Sequence, residues 1–195
     1  MKNIKFALVW IVGAVLLVSC SGGKQVTRLD PTMVTDLSGK WNDTDSRLVA
    51  EEMIADALSR PWLTKFKTQH NREPVVIVGN VYNKTREHIS EDTFIKDLER
   101  AFINSGLVEM VQSGAMRDDI RKERADQQEF ASEETRARWK QETGADFMLS
   151  GTINAIEDAS GNRKVMFYQV DLELTNMETN QKVWIGNKKI KKLID

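Results

Sequence analysis

Nine residues, PVVIVGNVY at 74–82, constrain the fold of this chain more than any other stretch. The β-branched run Val75-Val76-Ile77-Val78 has no polar face, so the strand it forms must be covered on both sides. Its neighbours supply helices to do so. A first helix is expected to begin at Asp43–Asp45 and to end before Pro61, with Val49, Met53, Ile54, Ala57 and Leu58 as one apolar stripe. The polar loop NKTREHISED leads into a second helix, in which Phe94, Leu98, Ala101 and Phe102 face inward and Gly106 provides the stop. LVEMVQ (107–112) reads as a short strand, and residues 115–130 as a charged helix with Met116 and Ile120 as its few apolar positions. Another helix is expected from Ser132, with Glu133 and Glu134 in its first turn, to Gly144.

The remainder is β. Phe147, Leu149, Ile153 and Ala155 alternate with Met148, Ser150, Thr152 and Asn154, and Met166, Tyr168, Val170, Leu172 and Leu174 form one face of the next strand. SGN (160–162) and ETN (178–180) are hairpin turns, and KVWIGNKKI is the last strand. The order predicts one α+β domain over residues 43–195, with a mixed sheet of four or five strands packed by helices.

The N-terminus carries an address. Lys2 and Lys5 precede the apolar run FALVWIVGAVLLV (6–18), which is too short to span a bilayer and reads as a secretory signal. Leu17-Val18-Ser19-Cys20 then resembles the lipobox of bacterial lipoproteins, with Cys20 as the thiol that accepts a diacylglyceryl group and, after cleavage, an N-acyl chain. Cys20 is the only cysteine, which excludes an intrachain disulfide and a cysteine-rich zinc site. Two or three acyl chains make a durable anchor, since each buried methylene contributes about 0.8 kcal/mol. By the lipoprotein sorting rule, Ser21 favours the outer membrane, and GGKQ lacks the acidic cluster of surface-exported lipoproteins, so a periplasm-facing domain is expected. Residues 20–42 read as lipidated cysteine plus tether, the latter able to reach roughly 70–80 Å when straight and about 25 Å relaxed.

Little in the sequence points to catalysis. Removing residues 1–19 takes away Lys2 and Lys5 and leaves 26 of the 28 basic residues against 29 acidic ones, a balance with no broad pull toward nucleic acid. His70 and His88, the only histidines, are too far apart in sequence for a metal motif, and no GxSxG or SxxK occurs. Adjacent carboxylates such as Asp118-Asp119 diverge on a helix and read as solvated faces. The KKIKK run (188–192) reads as the polar, protected end of an edge strand. The chain is therefore expected to be a non-enzyme without metal or cofactor, acting as a monomer through protein contact. Candidate contact residues are Asn83, Thr85, Arg86 and His88 in the loop after the central strand, and Arg117 and Arg121 on the charged helix. Phe167 beside Trp184, with Val165, is expected either to form an aromatic contact patch or to be covered by one of the helices.

Four stretches, SGKWNDTDSRLVAEEMI (38–54), VVIVGNVYNKTREHIS (75–90), MRDDIRKERADQQEFASEETRARWKQETGADFMLSGTI (116–153) and LTNMETNQKVWIGNKKIKK (174–192), together resemble the LpoB family, outer-membrane lipoproteins that activate penicillin-binding proteins. The resemblance implies a fold similar to the N-terminal domain of TolB. It also implies a partner, a bifunctional penicillin-binding protein whose glycan polymerisation and cross-linking are stimulated by docking. Enterobacterial members carry a longer, proline-rich tether than this chain. The alternative is an envelope assembly or secretion lipoprotein related to the curli-secretion factors, for which the long amphipathic segments of a membrane barrel are missing. An enzyme of cell-wall turnover would instead need a clustered carboxylate or histidine site.

Overall fold

The computed structural model describes residues 26–138 and 142–195. The signal segment and Cys20 lie outside the described residues. Val34–Asp195 form one compact unit.

Helix α1 (Asp43–Leu58) starts on a capping box: Asp45 N–H donates to the Asn42 side chain at 3.1 Å, and Asn42 N–H donates back to the Asp45 carboxylate at 3.0 Å. The expected stripe is buried at Val49, Met53, Ile54 and Ala57, with Ala50 added and Leu58 at its margin. Pro61 does stop α1, but it also opens α2 (Pro61–His70), a helix the sequence reading does not include. Proline at the first helical position loses no hydrogen bond and has the right φ in advance. Trp62 and Phe66 of α2 meet Phe147 edge-on, at centroid distances of 4.9 and 5.3 Å.

Strand β1 (Val75–Asn83) buries its first four residues, as a doubly covered strand requires. Helix α3 (Glu91–Ser105) is capped by Ser90 and ends at Gly106, whose φ of +64° is the left-handed turn glycine accepts without strain. Strand β2 is reduced to Glu109–Met110, and α4 spans Gly114–Phe130. The meander is β3 (Phe147–Ser160), β4 (Arg163–Asn176) and β5 (Lys182–Ile194), joined at the two expected turns. The helix expected over 132–144 is not formed at 132–138. Thr135 and Arg136 N–H donate to the Ser132 carbonyl in an isolated turn, and this stretch has no apolar stripe to bury.

The sheet order is β2-β1-β3-β4-β5, with β1 parallel to both neighbours and the meander antiparallel. This is the expected α+β domain with a mixed sheet, at the five-stranded limit. α1, α2 and α3 cover one face, against Val76, Val78, Leu149, Ile153, Val170, Leu172, Leu174 and Trp184. β3 and β4 approach closely at Gly151, where an added Cβ would lie 2.2 Å from the Asp171 carbonyl oxygen.

The domain begins earlier than expected. Residues 34–42, read from sequence as tether, are tied to it through Asp36, Lys40 and Trp41. Trp41 inserts edge-on between Phe94 and Tyr168, at 5.9 and 5.7 Å. Lys192 Nζ binds Asp36 Oδ1 and Asp45 Oδ2, each at 2.6 Å, and donates to the Lys40 carbonyl at 3.2 Å. The chain between Cys20 and this docked segment is residues 21–33.

Candidate functional site

The loop after β1 is built from its own side chains. Asn83 Oδ1 accepts from Thr85 N–H and Oγ1–H at 2.9 and 2.7 Å, Asn83 Nδ2 donates to the Glu87 carbonyl at 2.8 Å, and Asn83 N–H donates to Glu91. Thr85 Oγ1 also accepts from Glu87 N–H at 3.0 Å. Asn83 and Thr85 therefore shape the loop with their polar atoms. Arg86 and His88 are exposed on it and are its available contacts.

Sequence reasoning missed the residue that holds this loop in place. Glu87 accepts from Tyr168 Oη at 2.8 Å and from Trp41 N–H at 3.2 Å, tying the loop to β4 and to the docked segment. Burial pushes the Tyr168 hydroxyl's pKa up, and its bond to the Glu87 carboxylate adds to the effect. A glutamate between an arginine and a histidine in a polar loop gives no sequence signal of such a role.

Phe167 and Trp184 are not neighbours. Trp184 pairs with Leu174 on the helix-covered face, where it is buried and its Nε1–H donates to Asp56 at 2.8 Å. Phe167, one residue out of phase with the buried Tyr168, faces the other way. The expected aromatic patch therefore divides: Trp184 joins the core, while Phe167 and Val165 remain on the outer face.

That outer face is open along the meander among the described residues. Ile156, Phe167 and Lys191 lie side by side across β3, β4 and β5, followed by Asp158, Val165 and Leu193. Toward the other end, Tyr82 and Ile185 stand exposed. Between the two apolar ends, Gln169 Nε2 donates to Asp171 at 2.8 Å and Asn154 Nδ2 to Thr152 at 3.1 Å. The face thus carries apolar side chains at its two ends and a hydrogen-bonded polar centre between them.

The outer side of β1 and the start of β3 is overhung by α4, which buries none of its own residues. Arg121 forks onto Glu142, with Nε and Nη2 each donating at 3.0 Å, and Arg124 approaches the same carboxylate at 3.4 Å. These bonds hold the Glu142 carboxyl below its ordinary range, Arg121 first and Arg124 and Arg117 by charge. Arg117 is half-buried beside them. Arg117 and Arg121 are thus brought together, apart from the loop residues.

Among the described residues there is no group of three or more His, Cys, Asp or Glu side chains placed to hold a metal ion. No described helix is long and apolar enough to cross a membrane.

The family model described as "Peptidoglycan-synthase activator LpoB" matches residues 45–190, from the first turn of α1 into β5. Among solved structures, the chain is similar to the LpoB C-terminal domain from Escherichia coli, with 17% identity over 76% of this chain and 99% of that one and a TM-score of 0.46. The corresponding domain from Salmonella enterica gives 14% identity, the same coverage and a TM-score of 0.44. The NMR structure of E. coli LpoB gives 12% identity over 90% of this chain and 85% of that one, with a TM-score of 0.43. No curated protein matches the sequence.

Proposed function

This chain belongs to the LpoB family of peptidoglycan-synthase activators, and from that premise we propose that it binds a bifunctional penicillin-binding protein and raises its polymerising activity. The observation that carries the reading is the extent of the family match, which takes in nearly all of the domain. The mechanism is differential affinity: a domain that binds the active state of a synthase more tightly than the resting state shifts the equilibrium, with no catalytic group of its own.

The contact surface we favour is the outer face of the meander, with Phe167, Ile156 and Leu193 as apolar anchors and Lys189 and Lys191 on its rim. Arg86 and His88 supply exposed polar contacts on the β1 loop. Acylated Cys20 would tie the protein to the periplasmic side of the outer membrane. The thirteen residues 21–33 would then extend no more than about 45 Å when straight and about 20 Å relaxed. The synthase would therefore have to project toward the outer membrane to be met.

The test is a glycan-polymerisation assay in detergent, with a purified bifunctional synthase and saturating domain. The expected result is a higher initial rate, lost when Phe167→Glu is placed at the Ile156 end of the outer face. An unchanged rate with saturating wild-type domain would refute the function. Full stimulation by the variant would refute the surface.

A further inference from the structure

The geometry points to a binding cavity for a small peptide carboxylate beneath α4, separate from the outer face of the meander and independent of the synthase reading. The cavity is about 590 Å³, within the range of small-ligand sites, and its floor is apolar, with Ile77 from β1, Met148 from β3 and Met177. Three guanidinium groups, Arg117, Arg121 and Arg124, line its wall, and Glu142 is the only carboxylate among the lining residues.

Two features indicate the class of ligand. Glu142 already shows what the wall accepts: a planar carboxylate held by the Arg121 fork at 3.0 Å twice over, the geometry in which arginine is most selective. Arg117, by contrast, is unsatisfied. Its Nε is shut off from solvent and donates to no acceptor among the described residues, although the side chain lines this cavity and the adjoining one. An incoming carboxylate between Arg117 and Arg124 would meet the part of the Arg117 guanidinium that lines the cavity, not its enclosed Nε. The thioether and aliphatic floor then suits a short aliphatic side chain next to that carboxylate. Glu142 acts as a built-in competitor, because its charge repels a second carboxylate beside it.

Isothermal titration of the full chain in detergent with N-acetyl-Ala-Val tests this, using the free acid, the C-terminal amide and inorganic phosphate as probes. The free acid is expected to bind saturably and at least about tenfold more tightly than the amide or phosphate. Arg117→Gln, which removes no hydrogen bond among the described residues, should weaken the acid at least about fivefold, and Glu142→Gln should tighten it. Circular dichroism should show both variants folded. No saturable heat up to about 10 mM acid, equal binding of acid and amide, equal binding of phosphate, or an unchanged Arg117→Gln would each overturn the assignment. Synthase stimulation is not a readout here, so either reading can fail alone.

Discussion

Replacing Lys192 by methionine tests whether the segment before α1 is truly part of the domain. Lys192 is only 9% exposed at its side chain and bridges Asp36, at 45% exposure, to Asp45, at 8%. Methionine keeps most of the aliphatic stem, so packing is largely preserved and the charge is what is removed. Asp36 can rehydrate at little cost. Asp45 cannot, and it keeps only the Asn42 N–H at 3.0 Å. Stranding one buried carboxylate, with that bond retained, puts the loss at about 2–3 kcal/mol, below the range for a fully broken buried pair. For a domain of this size the melting temperature should fall by about 5–10 °C. Asp45→Asn in the same background should recover part of the loss, giving a coupling of about 1–2 kcal/mol in a double-mutant cycle. The pH dependence has a definite sign. Burial disfavours the charged lysine, but its bonds to Asp36 and Asp45 outweigh that and raise its pKa. The stabilisation is therefore complete below the ordinary lysine value of about 10.4, and is lost as pH rises through the higher folded-state value. Urea denaturation at pH 7 and at intervals from pH 9 to 11 measures both effects. A loss smaller than about 0.5 kcal/mol, strict additivity in the cycle, or a gap that widens above pH 10 would refute the reasoning.

Asp146→Asn should cost about 1–2 kcal/mol at pH 7, because it weakens the Arg72 fork at 2.7 Å on both arms and the bond from Val75 N–H. Burial alone would raise the Asp146 pKa, but those bonds prevail and lower it, so its stabilisation is present above pH about 4 and lost below. Chemical denaturation at pH 7 and pH 3 should show the gap between wild type and variant closing in acid. Trp184→Phe removes the 2.8 Å bond to Asp56 and should cost about 1 kcal/mol in urea denaturation, with no loss of synthase stimulation, because the indole is interior. Cys20→Ser should yield a protein without acyl mass in intact mass spectrometry and absent from the outer-membrane fraction.

The sequence made those parts of the fold legible in which a repeating pattern coincides with burial. The doubly apolar β1, the α1 stripe and the two-residue alternation of β3 and β4 each state which side faces inward, and the structure agrees. Helix α2 was overlooked because Pro61 carries two opposite meanings, a stop for one helix and a start for the next; Trp62, Leu63 and Phe66 were the available clue. The helix expected after Ser132 shows the reverse error, since acidic residues in a would-be first turn favour a helix only if some face of it can be buried. Trp41 and Glu87 carried no periodicity at all. Their roles come from partners 46 to 127 positions away, which local patterns do not encode. For the candidate surfaces, exposure of Arg86 and His88 followed from loop polarity. The division of Phe167 from Trp184 depended on strand register, and the meeting of three arginines with Glu142 on how α4 lies over the sheet.

Trp41 and Lys192 also determine how much slack the anchor has. Nine residues, 34–42, are spooled against the domain rather than paid out, and peeling them off would add about 30 Å to the free length. A sustained pull would meet the Asp36–Lys192 bridge before the Trp41 wedge, so the first resistance is ionic and the second apolar. On the lipid-anchored reading, the protein carries a reserve of line that comes free only under load, at the expense of the contacts that complete its fold.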